Sequence, residues 1–193
     1  MGAQIHGTLD FNTAVRAEVK FSEEAMKIVQ TIISHYPPEK IKSAMLPVLH
    51  VAQAEFGGWL SPEVMDYVAS VLTVKPIEVF EVASFYTMYN LKPVGKCVLE
   101  VCQTSSCWLN GAEDIVKYIE KKLNIKVGET SKDGMFTLKV AECLGSCGTA
   151  PMLQCGASFH ENLTYDKVDK LIDNYRAEGK LRSYTDLDYK NTL

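Results

Sequence analysis

"VCQTSSCW", residues 101–108, and "ECLGSCG", residues 142–148, are the two segments around which the rest of the chain is organised. Four residues lie between Cys102 and Cys107, and three lie between Cys143 and Cys147. The thirty-five residues between the two segments are enough for a helix and a β-hairpin, which would bring the pairs together. Paired thiolates at such short spacing are typical of chains that surround a metal ion or a small iron–sulfur cluster.

Composition and charge indicate a globular protein with no nucleic-acid surface. Apolar residues make up 47% of the 193-residue chain and charged residues 23%. The net charge is −4 and the lysines and arginines are scattered, so no basic patch is expected. No run approaches the ~20 apolar residues of a membrane-spanning helix, and the N-terminus lacks the features of a secretory signal. We therefore expect a soluble, cytoplasmic protein without direct membrane insertion, which leaves docking onto a membrane complex open.

Residues 22–92 are predicted to form a small helical domain, preceded by an arm over residues 1–21. Ser22 is the predicted N-cap of the first helix and Ser61 that of the third. Pro47 is predicted to kink the second helix, because proline cannot donate a backbone hydrogen bond and crowds the preceding turn. Phe80, Phe85, Tyr86 and Tyr89 form an aromatic run that is predicted to be core. The four helices are predicted at residues 22 to 36, about 40 to 56, 62 to 72 and 76 to about 85.

After the turn Lys92-Pro93-Val94-Gly95 the apolar period changes, which makes this turn the best domain boundary. The Asp133-Gly134 pair favours a hairpin turn. Strands are predicted at residues 97–101, 136–141, 151–155 and 159–163, and helices from 110 or 111 to about 123 and from 166 to 177. This order predicts an α/β sandwich with a mixed sheet over residues 93–179, followed by a tail over residues 180–193.

Each cysteine pair is predicted just after a strand, on a loop with a rigid base. Gly145 and Gly148 flank Cys147 and would let the backbone turn tightly around a bound group. Cys97 and Cys155 fall inside predicted strands and are interpreted as small buried hydrophobic residues. The four histidines, His6, His35, His50 and His160, are scattered, and none is assigned as a ligand.

Several interpretations of the four clustered cysteines are open on the residues alone. They include a [2Fe–2S] site, a structural zinc site and a disulfide within each pair. Six cysteines in a chain of this length are too sparse for a disulfide scaffold, and a Cys-x-x-Cys dithiol motif is absent. No Gly-rich phosphate loop, Ser–His–Asp set or paired-carboxylate pattern stands out. We therefore expect no catalytic residue on this chain, and no NADH or flavin bound by it.

The chain resembles the 24 kDa-type subunit of NADH:quinone oxidoreductase, the NuoE family of respiratory complex I. The resemblance covers roughly residues 22–178 and includes the second cysteine pair with its Cys-Leu-Gly-Ser-Cys-Gly-Thr-Ala-Pro-Met continuation. Other matching stretches are YPPE at residues 36–39, SAMLP at 43–47, GGWLSP at 57–62, EVASFYTMY at 81–89, LKPVGK at 91–96 and DGMFTL at 133–138.

This resemblance implies an α+β chain in which an N-terminal helical bundle domain is followed by a thioredoxin-like α/β ferredoxin domain. It implies one [2Fe–2S] cluster on Cys102, Cys107, Cys143 and Cys147, and it favours this cluster over zinc. It also implies a flavoprotein partner subunit that carries FMN and the NADH site, with the helical domain as a docking surface. Further peripheral-arm subunits of complex I are implied as partners, at the inner (plasma) membrane. The chemistry implied is one-electron transfer, which needs no acid, base or nucleophile on this chain.

Two alternatives to this assignment are kept. The same module occurs in NAD-linked hydrogenases and formate dehydrogenases, whose distinction from complex I lies in neighbouring subunits. A zinc-stabilised adaptor without a redox role is an alternative of another class.

The chain also departs from the family pattern, which has Thr-Thr-Pro before the second cysteine and Met after it. Here these positions are Thr104-Ser105-Ser106 and Trp108, Asn110 or Gly111 replaces a common Arg, and Cys155 replaces an aliphatic or polar residue.

Overall fold

The computed structural model of the chain describes residues 19–186, in which helices come first and a four-stranded mixed sheet follows. The predicted α+β class is thereby confirmed. The arm predicted for residues 1–21 lies outside the described residues except for its last three. Phe21 of that short remainder is buried against the rings of Phe56 and Tyr67.

Four α-helices build the N-terminal part: α1 Glu23–Ser34, α2 Met45–Glu55, α3 Pro62–Leu72 and α4 Pro76–Phe85. Ser22 Oγ accepts a hydrogen bond from the N–H of Ala25, and Ser61 Oγ accepts one from the N–H of Val64. Both serines therefore satisfy N–H groups that have no partner inside the helix. The predicted N-caps are confirmed, as are the bounds of α3 and α4.

The prediction of a single helix that begins at about Lys40 and is kinked at Pro47 is wrong. A 3₁₀ helix spans Pro38–Ala44, with non-helical dihedral angles at Lys40, and α2 begins only at Met45. Pro47 is therefore the third residue of α2. The first turn of a helix has N–H groups without an intrahelical acceptor, so a proline is accommodated there without a kink.

The aromatic run is mostly on the surface, contrary to the prediction. Helix α4 packs through Val79 and Ala83, which are four residues apart and share one face. Phe85, at the end of α4, is 77% exposed, and Phe80 and Tyr86 are also exposed. Tyr89 alone among the four is buried, and its hydroxyl donates to the carbonyl of Leu46 at 2.9 Å.

The sheet has strand order β2-β1-β3-β4, with β1 Cys97–Cys102, β2 Phe136–Ala141, β3 Leu153–Cys155 and β4 Ser158–His160. Strands β1 and β2 are parallel, whereas β1–β3 and β3–β4 are antiparallel. The predicted mixed sheet is therefore confirmed. Helix α5 Ser105–Leu109 and helix α6 Ala112–Leu123 connect the parallel strands, and α7 Tyr165–Glu178 follows the sheet. The predicted hairpin is reduced to one antiparallel bridge between Thr130 and Thr137.

Residues 180–186 pack against both parts of the chain. The N–H of Arg182 donates to the carbonyl of Lys96 at 2.7 Å, next to β1. A 3₁₀ turn over Tyr184–Asp186 contacts α2, where the ring centroids of His50 and Tyr184 are 5.2 Å apart. The predicted tail is thus ordered as far as residue 186, and the rest of it lies outside the described residues. Within residues 19–186, none of the helices has the length and apolar character needed to cross a membrane.

The parallel pairing of β1 and β2 fixes where the cysteines lie. Cys102 is the last residue of β1, and its partner in the register is Ala141, the last residue of β2. Because the carboxyl ends of parallel strands meet at one edge of a sheet, the segments that follow Cys102 and Ala141 start side by side. These two segments carry the remaining three of the four clustered cysteines.

Candidate metal centre

The first cysteine pair is buried. Cys102 ends strand β1, whereas Cys107 lies within the short helix α5 rather than on the predicted loop. The turn of α5 places the two thiols close enough to influence each other's pKa. Thr104 precedes this helix, and its carbonyl accepts from the N–H of Trp108 at 3.0 Å.

The second cysteine pair is exposed. The sulfur atoms of Cys143 and Cys147 are 3.8 Å apart, on a loop that runs from β2 into a 3₁₀ turn over Cys147–Thr149. Gly145 has a φ of +82°, a backbone conformation that glycine adopts without steric cost. The predicted tight turn is confirmed at Gly145, where it lets the two thiols face each other, but Gly148 does not have a positive φ.

Contacts between the two segments join the pairs into one site. Ser106 Oγ, on helix α5, donates to the main-chain carbonyl of Cys147 at 2.9 Å. The N–H of Leu144 donates to the sulfur of Cys102. Cys147 is also close enough to Cys102 and Cys107 for their charges to interact. The fold thus brings together all four cysteines that the sequence singled out.

Hydrogen-bond donors around the sulfur atoms shape their acidity. Burial raises the pKa of Cys102, but hydrogen bonds from the N–H groups of Thr104 and Leu144 and from the side chains of Cys107 and Thr104 together outweigh it, and the net pKa lies below its ordinary value. Burial, followed by the hydrogen bond with Cys102, raises the pKa of Cys107 to about 11, although the N–H of Met152 favours its thiolate. The hydrogen bond with Cys143 raises the pKa of Cys147. Backbone N–H groups that point at sulfur stabilise a negative charge there, whether the thiolate is free or bound to a metal.

The donor set fits a [2Fe–2S] cluster. In the described part of the chain no three His, Cys, Asp or Glu side chains converge as ligands of one ion, and the clustered thiols instead form two pairs. A [2Fe–2S] cluster takes four cysteine thiolates, so each of its two irons can take one pair. Hydrogen bonds from N–H groups to ligand sulfur atoms, as at Cys102 and Cys107, help to set the reduction potential of such a cluster.

The remaining two cysteines belong to the core. Cys97 and Cys155 are buried on β1 and β3, as predicted, and their thiols are hydrogen-bonded to each other. This bond, followed by burial, raises the pKa of Cys155. Cys97 begins β1 and Cys102 ends it, so about 16 Å of strand separates this pair from the candidate centre.

The histidines with described positions have other surroundings. His50 lies between the rings of Tyr89 and Tyr184, His160 is hydrogen-bonded to the hydroxyl of Tyr175, and His35 is exposed at the end of α1. His6 lies outside the described residues.

The sequence pattern did not single out Glu161, whose carboxylate contacts the segment of the second cysteine pair. It accepts hydrogen bonds from the hydroxyls of Ser146 and Thr149, which lie on either side of Cys147. The two hydroxyl residues were visible in the sequence next to the cysteine. The glutamate lies twelve residues beyond Thr149, and only the return of the chain through β3 and β4 brings it back.

Two solvent-exposed apolar side chains follow the first cysteine pair in the sequence. Trp108 is 59% exposed and Leu109 is 75% exposed, at the end of helix α5. Cys143 and Cys147 are also exposed. One side of the candidate centre is therefore accessible from solvent, while the other is closed by the sheet.

The chain is similar to known proteins over most of its length. The family model described as thioredoxin-like [2Fe-2S] ferredoxin matches residues 29–176. The E-type subunit of NADH-quinone oxidoreductase from Rickettsia felis is 46% identical over 160 residues, which are 83% of this chain and 96% of that protein. The mitochondrial NADH dehydrogenase [ubiquinone] flavoprotein 2 of Dictyostelium discoideum is 40% identical over 156 residues, which are 81% of this chain and 63% of that protein.

A solved structure shares the fold. The structure of NAD+-reducing [NiFe]-hydrogenase in the H2-reduced state superposes with a TM-score of 0.61 at 19% identity. The match covers 69% of this chain but only 22% of the hydrogenase chain.

Proposed function

The chain belongs to the thioredoxin-like [2Fe–2S] ferredoxin family, and from this premise we propose that it is an electron-transfer subunit of an NADH:quinone oxidoreductase. The observation that carries this proposal is the meeting of two thiol pairs at one edge of the sheet, with backbone N–H groups directed at the buried pair. The names of relatives at 40–46% identity support the choice of complex.

In this proposal Cys102, Cys107, Cys143 and Cys147 hold one [2Fe–2S] cluster. Such a cluster, when bound, takes up and releases one electron at a time. The chain's own residues provide the surroundings. Buried Cys102 and Cys107 keep one side dry, and the N–H groups of Thr104, Leu144 and Met152 stabilise negative charge on sulfur. No residue of the chain has to move a proton or form a covalent bond.

The electron partner in this proposal is FMN on a flavoprotein subunit that also binds NADH. The chain then has no complete active site and works as a part of the oxidoreductase. Exposed Cys143 and Cys147, beside the apolar surface of Trp108 and Leu109, support an approach of the partner from this side. The proposed location is the peripheral, hydrophilic arm of the complex, on the cytoplasmic side of the inner (plasma) membrane.

The parent complex can be identified by purification. The shared fold of the NAD+-reducing hydrogenase keeps an NAD-linked hydrogenase module as the alternative. Purification of the chain from its own cells at low salt, followed by identification of the accompanying subunits, separates the two. Co-purification of quinone-reductase subunits would support the proposal. Co-purification of nickel-containing or formate-oxidising subunits would instead identify the parent complex as a hydrogenase or a formate dehydrogenase.

The cluster itself is tested by anaerobic visible spectroscopy, iron analysis and EPR after dithionite reduction. We expect a red-brown protein with about two irons per chain and one S = ½ signal on reduction. A colourless protein that contains zinc would overturn the redox function and leave the adaptor alternative.

The docking side is tested by co-expression with the flavoprotein subunit. Trp108→Glu and Leu109→Glu place a charge on the exposed apolar surface, so we expect each to reduce co-purification while the visible spectrum is retained. Val127→Glu is the matched control, because Val127 is also exposed but follows the far end of α6. Equal loss of the partner in all three variants would contradict the proposed docking side.

A further inference from the structure

The carboxylate of Glu161 contacts residues on both sides of Cys147. Its Oε1 accepts a hydrogen bond from Ser146 Oγ and another from Thr149 Oγ1, the latter at 2.7 Å. The two hydroxyl oxygens are 2.6 Å from each other. Ser146 immediately precedes Cys147, and Thr149 ends the 3₁₀ turn that Cys147 begins. One carboxylate oxygen therefore accepts hydrogen bonds from the hydroxyl side chains on both sides of Cys147.

Glu161 is itself held in place by the neighbouring backbone. The N–H of Asn162 donates to the carbonyl of Thr149 at 2.7 Å, and the N–H of Leu163 donates to the carbonyl of Pro151 at 2.9 Å. The ammonium of Lys167, on α7, donates to the carbonyl of Glu161 at 3.2 Å. The segment after β4 is thus fixed against the second cysteine segment before the carboxylate makes its own bonds.

The ionised form of Glu161 is the one that these contacts favour. Hydrogen bonds from Ser146 and then Thr149 hold the pKa of the carboxyl below its usual range. An ionised carboxylate is an acceptor only, and hydrogen bonds to it are stronger than those between neutral groups. Both hydrogen bonds to the carboxylate are therefore favoured at neutral pH.

Packing alone does not fix the second pair. Cys143, Gly145 and Cys147 are exposed, whereas Cys102 and Cys107 are buried in the core of the sheet domain. An exposed loop with few apolar contacts opens locally at low free-energy cost. Glu161 adds to other polar contacts of the Cys147 turn: the N–H of Thr149 to the carbonyl of Ser146, the N–H of Asn162 to the carbonyl of Thr149, and the hydroxyl of Ser106 to the carbonyl of Cys147.

We propose that Glu161 is a positioning residue for the second thiol pair, which fixes the turn at Cys147 through Ser146 and Thr149 and so slows loss of the bound cluster. This inference rests on the proposed function, because it concerns the retention of the cluster that the four cysteines would hold. Ser106 supports the same turn from the side of the first pair.

The test compares cluster loss in three variants of the full-length, cluster-loaded chain. Bleaching of the visible absorbance is followed under anaerobic conditions with excess iron chelator. Glu161→Ala removes both acceptor contacts, and we expect bleaching about tenfold faster, the lower end of the effect seen when partners of metal ligands are removed. Glu161→Gln keeps an oxygen that accepts from both hydroxyls, so its bleaching rate is expected to stay close to that of the wild type.

Glu142→Gln is the control for charge. Glu142 is exposed and immediately precedes Cys143, so this variant removes one negative charge beside the site without touching the two hydrogen bonds to Glu161. Its bleaching rate is expected to equal that of the wild type. A bleaching rate in Glu161→Ala equal to that of the wild type would overturn the inference. Bleaching in Glu161→Gln as fast as in Glu161→Ala would also overturn it, because charge rather than position would then be responsible.

Two further measurements keep the outcome decisive. If Glu161→Ala does not accumulate as folded protein, Thr149→Val removes one hydroxyl at constant shape, and faster bleaching supports the inference while an unchanged rate overturns it. The EPR signal of reduced Glu161→Ala is expected to broaden, since the exposed pair is less fixed. A wild-type chain without a [2Fe–2S] spectrum would defeat the proposed function, whereas a stable wild-type cluster with unaffected variants would defeat only the role of Glu161.

Discussion

The phenol of Tyr184 donates a hydrogen bond to the carboxylate of Glu100, which lies on the central strand two residues before Cys102. Lys139 is the partner of Glu100 in the parallel register, and its ammonium donates to the side chain of Asn90. Asn90 in turn donates to the carbonyl of Gly58. The helical part, the sheet and the C-terminal segment therefore meet in one polar network. Burial raises the pKa of Glu100 and lowers that of Lys139, so both depend on these partners.

Replacing Tyr184 by Phe should weaken this junction. The change leaves a largely buried carboxylate without one of its donors, which typically costs about 1–3 kcal/mol. The free energy of unfolding in urea is the measurement. Tyr118→Phe is the matched control, because the hydroxyl of Tyr118 also donates to a carboxylate, that of Asp169, but at the surface. A loss of stability as large in Tyr118→Phe as in Tyr184→Phe would show that burial of the contact is irrelevant.

Gly156→Ala should displace the C-terminal segment. A Cβ at Gly156 would lie 2.7 Å from the carbonyl oxygen of Ser183, closer than real Cβ contacts come. Gly179 has nearly the same backbone conformation, with a φ of +61° against +57°, but open space around it. Gly179→Ala should therefore lower stability only by the cost of a left-handed backbone at alanine, about 1–2 kcal/mol. Gly156→Ala should lower it by that cost and by the cost of the steric clash.

Limited proteolysis and urea unfolding report on this difference. We expect faster cleavage after Lys180 and Arg182 and the lower unfolding midpoint in Gly156→Ala. Identical behaviour of the two glycine variants would mean that the close approach of residues 156 and 183 does not hold in solution.

Acidification should destabilise the fold through His50. Burial lowers the pKa of His50, and its Nδ1 has no hydrogen-bond partner among the described residues. Between that lowered pKa and about 6.5, the unfolded chain binds a proton that the folded chain does not. Stability is therefore lost as the pH falls through this window, at no more than about 1.4 kcal/mol per pH unit for one group. His160, whose pKa is lowered by burial and by Arg182, adds in the same direction.

The His50→Phe variant isolates this contribution. It keeps an aromatic ring between Tyr89 and Tyr184 but cannot bind a proton, so the decrease in unfolding free energy from pH 7.5 to 5.5 should become smaller. His35→Gln serves for comparison, because it removes an exposed histidine at the end of α1 rather than a buried one. An unaltered pH dependence in His50→Phe would rule out His50 as its source.

Single cysteine replacements should divide the six cysteines into two classes. Alanine at Cys102, Cys107, Cys143 or Cys147 is expected to weaken or abolish the [2Fe–2S] absorbance and the bound iron. Alanine at Cys97 or Cys155 should retain both, and should lower stability because each removes a buried sulfur from the core. Retention of the cluster in Cys147→Ala, together with its loss in Cys155→Ala, would contradict the ligand assignment.

Local sequence signals predicted the helix starts well and one helix poorly. Ser22 and Ser61 could be read as caps because the cap and the N–H that it satisfies lie three residues apart. The effect of Pro47 was misjudged because it depends on whether the helix begins at Lys40 or at Met45, and the preceding 3₁₀ helix decides that. The aromatic run was misjudged for a related reason, since hydrophobicity does not reveal which face of α4 meets α3.

The sequence by itself determined the donor atoms of the candidate centre. Cysteine identity and spacing specify four soft sulfur donors in two pairs, and the alternation of apolar residues specifies the strands that carry them. Tertiary structure alone decided that Cys102 and Cys107 are buried while Cys143 and Cys147 are exposed. It also brought Glu161 to Thr149 and Tyr184 to Glu100. The physical reason is range: caps and pairs depend on neighbours along the chain, whereas burial and long-range hydrogen bonds depend on how the sheet and helices pack.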